Sequence, residues 1–365
     1  MKNSSVVLCL DVIGEIISFL KDQETFFNVV INSFVWSYVN NENPECARNV
    51  LFYAYKLPNE PLKSFIQRCK IWFKVKNDEL KYFTGIQSLD LDFNKNMTYE
   101  GLKHLIGIKV LNLHRNENIT DKGLKHLKGI QKLDLNYNEN ITDEGLKYLR
   151  GIKGLYLGWN KNITDEGLKH LKGIQKLCLR YNENITDEGL KYLTGIKELN
   201  LHRNEDITDE GLKHLTGIQK LRLDFNENIT SEGLKHLTGI KALYLGWNKN
   251  IKDEGLKYLT GIKELDLYSN KNIKDEGLNH LKGIQKLDIG CNENITDNGL
   301  KYLTGIKELD LACNEIITDE GLKHLTGIQK LDLACNENIT DEGLKHLTGF
   351  QKLIINHEEI IGDEK

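Results

Sequence analysis

Apolar residues recur along this chain in a pattern that repeats every 22 residues, in twelve successive units from about residue 84. Early in each unit two leucines stand two residues apart, and later in the unit the apolar residues are spaced more widely. In one unit these positions are Ile130, Leu133, Leu135, Ile141, Leu146 and Leu149. Alternation with a period of two is typical of a strand, whereas wider, helical spacing is typical of a helix. Each unit therefore predicts one short strand followed by one short helix.

An asparagine stands at the same position of every unit, where the chain leaves the predicted strand. The twelve are Asn94, Asn116, Asn138, Asn160, Asn182, Asn204, Asn226, Asn248, Asn270, Asn292, Asn314 and Asn336. A buried amide at this position can bond the free backbone groups of the turn and of the neighbouring coil. We call this column the asparagine ladder and expect it to be buried.

The residues that follow the ladder predict how the helix begins and ends. Thr120 or Asp121 is expected to cap the free N–H groups of the first turn, where acidic charge also suits the helix dipole. Leu124 and Leu127 then face inward, and Gly129 ends the helix at a positive φ. Because no unit can bury its own leucines, the units must stack. We expect an α/β solenoid with a curved parallel sheet and short helices on its convex side.

The repeat resembles the leucine-rich repeats, and more narrowly their cysteine-containing subtype, whose units read L-x-L-x-x-C-x-x-I-T-D-x-G-L. The unit from Leu155 to Lys176 carries the resemblance, which covers roughly residues 84–365. Asn138 occupies the usual Cys position, and the units are shorter than is usual for that subtype. The resemblance implies the leucine-rich-repeat solenoid fold.

The column just before the asparagine ladder is rich in aromatic residues and arginine. Residues that alternate with the strand leucines are expected to point to the concave face, and aromatic and Arg side chains are typical of protein-binding hot spots. The predicted target-binding residues are Arg115, Tyr137, Tyr156, Trp159, Arg180, Tyr181, His202, Arg203, Arg222, Phe225, Tyr244 and Trp247. The alternative is that the rings lie along the loop and pack on one another.

Three arginines from consecutive units suggest a more specific chemistry. Arg180, Arg203 and Arg222 are predicted to converge on a phosphate or on a carboxylate-rich segment of a target. The alternative is that they are solvated beside Asp224 and Glu198. The later units instead carry aspartates in one column.

That aspartate column consists of Asp266, Asp288, Asp310 and Asp332. Like charges one strand apart repel each other, and Lys286 and Lys330 are expected to offset part of the repulsion. The column is interpreted either as a surface for a basic partner or a cation, or as a solvated face.

A separate N-terminal module is predicted before residue 84, because all three prolines and the only extended non-repetitive sequence lie there. Residues 1–42 predict a helical hairpin, since Leu8, Val12, Ile16 and Leu20 form one apolar stripe. The hairpin resembles the F-box, with Cys9 where that family usually has proline. Residues 43–83 are expected to form a helical linker and cap.

The F-box resemblance implies a substrate receptor of an SCF-type ubiquitin ligase, with the hairpin docked on the adaptor subunit and an unknown protein target on the repeats. The predicted adaptor-binding residues are Leu8, Cys9, Val12, Ile13, Ile16, Ile17 and Leu20. The alternative is a protein-interaction scaffold whose N-terminal helices only cap the solenoid. Leu353 to Ile355 are predicted to form the last strand, and its open edge predicts weak self-association.

Composition narrows the possible functions further. The net charge of −4 gives no electrostatic basis for binding nucleic acid, and no apolar run is long enough to span a membrane. The seven cysteines are an odd number without a paired framework, so reduced thiols and a cytoplasmic location are expected. Asp11 and Glu15 interrupt the candidate signal-peptide core. Since the histidines and later cysteines fall in lines rather than clusters, we predict no enzyme, metal site or cofactor.

Overall fold

The structure, a computed structural model, describes residues 76–78, 80–81, 85–355 and 358–362. These ranges include every residue of the asparagine ladder. The predicted hairpin at residues 1–42, with its seven adaptor-binding residues, lies outside the described residues, as does most of the predicted cap at residues 43–83.

Within the described residues the strands form one 14-stranded sheet in which the order in space follows the order in the chain. They are β1 (Ser88–Asp90), β2 (Val110–Asn112), β3 (Lys132–Asp134), β4 (Gly154–Tyr156), β5 (Lys176–Cys178), β6 (Glu198–Asn200), β7 (Lys220–Arg222), β8 (Ala242–Tyr244), β9 (Glu264–Asp266), β10 (Lys286–Asp288), β11 (Glu308–Asp310), β12 (Lys330–Leu333), β13 (Lys352–Ile355) and β14 (Glu358–Ile361). Strands β1 to β13 are parallel, and each residue of β3 faces its equivalent in β4, 22 positions later. The predicted parallel solenoid is confirmed.

A very short helix lies between most pairs of strands. The α-helices are α1 (Asp121–Leu124), α2 (Asp143–Leu146), α3 (Asp165–Leu168), α4 (Asp187–Leu190), α5 (Asp209–Leu212), α6 (Asp253–Leu256), α7 (Asp275–Leu278), α8 (Asp297–Leu300), α9 (Asp319–Leu322) and α10 (Asp341–Leu344). Segments of 3₁₀ helix are Tyr99–His104, Lys169–Leu171, Lys191–Leu193 and Gly233–His236.

These helices are shorter than the sequence pattern predicts. Helix α1 ends at Leu124, and Gly129, which was expected to end it, lies in the turn before the next strand with φ of 81°. The predicted helix end was wrong because a 22-residue unit must also contain the strand and two turns. The positive φ at Gly129 is confirmed, and it serves that turn.

The leucines of each unit form the core between the sheet and the helices. Leu133, Leu135 and Leu146 are 0 % exposed, as the apolar pattern predicts. The asparagine ladder runs beside them, and Asn160 is also 0 % exposed. Its Nδ2 donates to the Leu135 carbonyl at 3.1 Å, and its Oδ1 accepts from the backbone N–H of Asn138 at 2.9 Å. The ladder therefore joins consecutive units through buried backbone groups.

A second contact between units involves the residues that begin each helix. Thr186 caps α4 by accepting from the Glu188 N–H at 3.2 Å, as predicted for this position. Asp165, one unit earlier, accepts from both the N–H and the Oγ1 of Thr186, at 2.9 and 2.7 Å. The aspartate therefore bonds the next unit, a role that the capping pattern did not predict. Gly189 lies against it, and an added Cβ would be 2.2 Å from Asp165 Oδ1.

The same contact is present at the start of the array. Asn77 Oδ1 accepts from the Thr98 N–H at 2.9 Å, and Asn77 Nδ2 donates to Thr98 Oγ1 at 2.8 Å. This contact pattern begins N-terminal to residue 84, where the sequence places the domain boundary. Among the described residues, no helix has the length and apolar character needed to span a membrane.

At the C-terminal side of the sheet the chain folds back on itself. Strand β14 pairs antiparallel with β13, with Ile355 opposite Glu358. The prediction that Leu353 to Ile355 are the last strand was wrong, because β14 follows and pairs with β13 instead of opening another unit. The edge of the sheet is therefore β14, where Ile361 is 66 % exposed. Weak self-association through this edge stays a prediction.

Candidate functional site

The column before the asparagine ladder has an unusual backbone conformation. All twelve of its residues have a positive φ between 55° and 65°, and none of them is glycine. This left-handed region is uncommon for residues with a Cβ and worst for β-branched ones, which the column does not contain. Eleven of these turns are held by the next unit, as where the Tyr137 N–H donates to the Gly158 carbonyl at 2.9 Å. The column consequently lies in turns at the ends of the strands rather than within them.

Nine aromatic rings form an unbroken chain along these turns. They are Phe93, His114, Tyr137, Trp159, Tyr181, His202, Phe225, Trp247 and Tyr268, and we call them the aromatic ribbon. Neighbouring ring centres are between 3.9 and 5.7 Å apart, with Trp159 and Tyr181 closest. The rings therefore pack on one another, as the alternative interpretation of the sequence predicts.

Two histidines keep the ribbon continuous where the column itself carries arginine. His114 precedes Arg115, and His202 precedes Arg203, so in each of these units the imidazole supplies the missing ring. The ring of His114 is held by Asp92, whose Oδ1 is 2.8 Å from its Nδ1. In the sequence, the dipeptide His-Arg before the ladder asparagine indicates that histidine supplies the ring in these units. The residues of the column alone do not show this.

Each of the two column arginines lies between two rings of the ribbon. The distances from the guanidinium carbon to the ring centres are 4.8 and 4.7 Å for Arg115 with Phe93 and Tyr137, and 5.5 and 4.4 Å for Arg203 with Tyr181 and Phe225. Cation–π contacts of this kind hold the cation in place. Both arginines are exposed, so they present charge from fixed positions.

Packing leaves part of the ribbon accessible but buries one predicted contact residue. Trp247 is 44 % exposed and Phe93 is 39 % exposed. Tyr244 is only 7 % exposed, because the Arg222 guanidinium lies 4.1 Å from the centre of its ring. Burial and a hydrogen bond with Glu264 raise the pKa of Tyr244. Tyr244 is therefore not part of the exposed surface, whereas Tyr156 on β4 is half-buried beside Lys132.

The structure does not bring the three predicted arginines together. Arg180 extends back toward the ring of Tyr137, whose centre is 6.0 Å away, whereas Arg222 extends forward over Tyr244. Arg203 is held within the ribbon. The prediction that these guanidiniums converge was wrong, because each is attracted to a ring in a different unit.

The aspartate column is in register across four consecutive strands, with Asp266 opposite Asp288, Asp288 opposite Asp310, and Asp310 opposite Asp332. Each carboxylate accepts from the backbone N–H two residues later, at 3.0 Å for Asp288 and Gly290. Burial, followed by the charges of Asp310 and Asp266, raises the pKa of Asp288 to about 7. The column is thus half-buried rather than solvated.

The two lysines that were expected to offset part of this repulsion form ion pairs with glutamates instead. Lys286 Nζ is 3.0 Å from Glu264 and 3.8 Å from Glu308, and Lys330 Nζ is 2.8 Å from Glu308. These pairs form a separate row of alternating charge along the strands. The lysines were expected to offset part of the repulsion between the aspartates, but their ion pairs are with glutamates, because adjacent strands place a glutamate directly opposite each lysine.

The repeats match a known family of sequences. The sequence model of the family described as Leucine Rich repeat matches residues 130–149, 152–172, 174–193, 196–216, 236–259, 284–303, 306–326 and 324–347. The array is a leucine-rich-repeat array. No curated protein matches the chain.

Several solved structures are similar to this one. An internalin from Listeria monocytogenes is 25 % identical, with a TM-score of 0.58, over 81 % of this chain and 95 % of that chain. The Toll–Spatzle complex of Drosophila matches at 17 % identity and a TM-score of 0.58, over 84 % of this chain and 46 % of that one. The TLR13–ssRNA13 complex matches at 20 % identity and a TM-score of 0.54, over 75 % and 50 %. The last two show similarity of fold alone.

The raised pKa of Asp288 predicts how the stability of the leucine-rich-repeat array depends on pH. The folded carboxyl has a pKa of about 7 and the ordinary value is 3.8, so between these values the folded state holds a proton that the unfolded state has lost. Stability should therefore fall as pH rises from about 4 to about 7. Asp288→Asn keeps the acceptor for Gly290 and should stabilise the fold at about pH 8 by on the order of 1 kcal/mol.

Urea unfolding of the parent and of Asp288→Asn at several pH values measures this effect. Asp332→Asn is the matched control, because Asp332 faces an aspartate on one side and Ile354 on the other. It should give a smaller gain. An Asp288→Asn variant that is less stable than the parent at about pH 8 would show that the repulsion is unimportant.

Proposed function

We propose that the leucine-rich-repeat array is a non-catalytic protein-binding surface and that the aromatic ribbon makes the central contact with the target. The unbroken chain of nine rings, with Arg115 and Arg203 held between them, is the observation that supports this most strongly. At about 4.8 Å per strand the ribbon is roughly 40 Å long, which suits an extended segment or a broad face of a partner.

The fixed position of each ribbon side chain favours binding. A ring held by neighbours on both sides loses little conformational freedom when a partner arrives, and lost side-chain freedom is a main cost of association. Trp, Tyr and Arg are also the residues that carry most binding energy in protein interfaces. The ribbon combines both properties with partial exposure, as at Trp247.

We further propose that the chain is the substrate-recognition subunit of an SCF-type ubiquitin ligase in the cytoplasm. Support for this comes from the F-box-like pattern of residues 1–42 and from its order before the repeats. Ile13 and Ile16 lie in the apolar stripe that would contact the adaptor subunit. The second candidate is a scaffold in which these helices only cap the array. The apolar stripe is equally compatible with it, because contact with the array would bury the same side chains as contact with the adaptor.

One capture experiment with three full-length chains tests both the target-binding proposal and the ligase-subunit proposal. The parent is compared with Ile13→Asp/Ile16→Asp and with Arg203→Ser/Trp247→Ser, each immobilised and exposed to purified adaptor and to cell lysate. Serine suits the ribbon column because Ser269 occupies it with φ of 57°. The hairpin variant should lose the adaptor, and the ribbon variant should lose the target by at least about tenfold.

Each variant is the control for the other. Circular dichroism establishes that all three chains are folded. If the folded parent does not bind the adaptor, the scaffold function replaces the ligase function. If the ribbon variant captures the same proteins as the parent with equal affinity, the ribbon is not the target surface.

A further inference from the structure

Three cysteines continue the column of the aromatic ribbon into later units. Cys291, Cys313 and Cys335 occupy it in consecutive units, with φ of 55°, 57° and 61°. All three are present as thiols, and Cys178, the other cysteine among the described residues, is buried in β5. The shared backbone conformation directs the three side chains the same way.

The backbone holds these cysteines in register at a short distance. The Cys291 N–H donates to the Ala312 carbonyl at 2.8 Å, and the Cys313 N–H donates to the Ala334 carbonyl at 2.8 Å. Neighbouring parallel strands are about 4.8 Å apart, within the Cα separation of about 4.4–6.8 Å that disulfides span. Side chains in this column also approach closely, since the ring centres of Trp159 and Tyr181 are 3.9 Å apart.

The three thiols differ in their surroundings. The Cys313 thiol makes hydrogen bonds with both Cys335 and Cys291, and burial raises its pKa to about 12. The Cys291 thiol donates to the Tyr268 hydroxyl at 3.0 Å. Cys335 is exposed. Exposure makes Cys335 the thiol that an oxidant reaches first, while Cys313 is held beside it.

We propose that Cys313 and Cys335 are a modification site at which a hydroperoxide forms a disulfide between neighbouring units. The Cys335 sulfur attacks the O–O bond of hydrogen peroxide, which forms an S–O bond and releases hydroxide. The Cys313 sulfur then attacks the Cys335 sulfur, so that the S–S bond forms and the S–O bond breaks. In total two thiols lose two protons and two electrons, and one peroxide becomes two waters.

The geometry also indicates that this disulfide is easily reduced. Disulfides place their Cβ atoms about 3.8 Å apart, so the two turns must approach by about 1 Å from the spacing of the strands. Such strain raises the reduction potential of the bond. The modification is therefore reversible by dithiol reductants, and it leaves Cys291 as a thiol bonded to Tyr268.

Mass spectrometry of a tryptic digest under non-reducing conditions identifies the bond. Trypsin separates the three cysteines into residues 287–301, 308–323 and 331–345. After treatment of the folded full-length protein with hydrogen peroxide, we expect residues 308–323 to be linked to residues 331–345, and a reductant should restore both peptides. Mixing isotopically labelled and unlabelled protein before oxidation separates bonds within one molecule from bonds between molecules.

Variants make the assignment specific. Cys291→Ser should still form the bond, whereas Cys313→Ser should abolish it, and Ser269 shows that serine fits this column. A parent that yields only a link between residues 287–301 and 308–323, only mixed-isotope links, or only overoxidised Cys335 would overturn the proposal. Circular dichroism before and after oxidation confirms that the array is still folded.

Discussion

Gly189→Ala is expected to lower the free energy of unfolding by about 2–3 kcal/mol, although alanine favours helices by up to about 1 kcal/mol. The added Cβ would be 2.2 Å from Asp165 Oδ1 and 3.0 Å from Leu168 Cδ1. To relieve the clash Asp165 must move, and it then loses its two hydrogen bonds to Thr186. The substitution therefore removes a contact between two units and also causes a steric clash.

Urea unfolding followed by circular dichroism measures this loss, and the chain offers a matched control. At the equivalent Gly255 the preceding unit carries Ser231, and the nearest atom to an added Cβ is 2.9 Å away. Gly255→Ala should therefore cost clearly less than Gly189→Ala. Equal costs at the two sites would show that the aspartate contact is not the cause.

Asn160→Ala is expected to destabilise the array by about 2 kcal/mol. The substitution removes the acceptor for the Asn138 N–H and the donor to the Leu135 carbonyl, in a place where Asn160 is 0 % exposed. The Asn138 N–H and the Leu135 carbonyl then keep only their 3.2 Å bond to each other. Because water cannot reach these two groups, the two lost bonds are not replaced, and each is worth about 0.5–1.5 kcal/mol.

Asn162→Ala is the matched control for the ladder. Asn162 is the next asparagine of the same unit, and its Nδ2 donates to the Glu139 carbonyl at 2.7 Å on the exposed surface. Water can replace that bond, so its loss should cost less than about 1 kcal/mol. Both chains are compared by their urea midpoints. If both substitutions cost the same, burial is not the source of the ladder's contribution.

The architecture follows from sequence because a single period specifies it. Once Leu133 and Leu135 are assigned to a strand and Leu146 to a helix, stacking is the only way to bury them, and the structure confirms their burial. The ladder asparagines could be predicted for a similar reason, since a polar residue among leucines must bond backbone groups.

Other features depend on contacts between units and could not be predicted from one unit alone. In the sequence Asp165 stands where a helix-capping residue is expected. Its hydrogen-bond partners are instead the N–H and the Oγ1 of Thr186 in the next unit. The positive φ of Trp159 depends on a hydrogen bond from its N–H to the Arg180 carbonyl. Residues other than glycine seldom adopt a positive φ, so it could not be predicted from one unit. The arginines diverge because each is attracted to a ring in another unit, two units away for Arg180 and one unit away for Arg203 and Arg222. The F-box-like hairpin stays a prediction, since residues 1–42 lie outside the described residues.

The Asp165–Thr186 contact also has a consequence for how such a protein can change in length. Most copies of the unit carry both partners of this contact, the aspartate that bonds the following copy and the threonine that bonds the preceding one. The exceptions are Tyr99 and Ser231 at the aspartate position and Lys252 and Lys274 at the threonine position. Where both residues are present, duplication or deletion of whole units therefore creates a junction chemically identical to the one it replaces. New recognition surface can be gained by copying alone, with no compensating mutation at the seams.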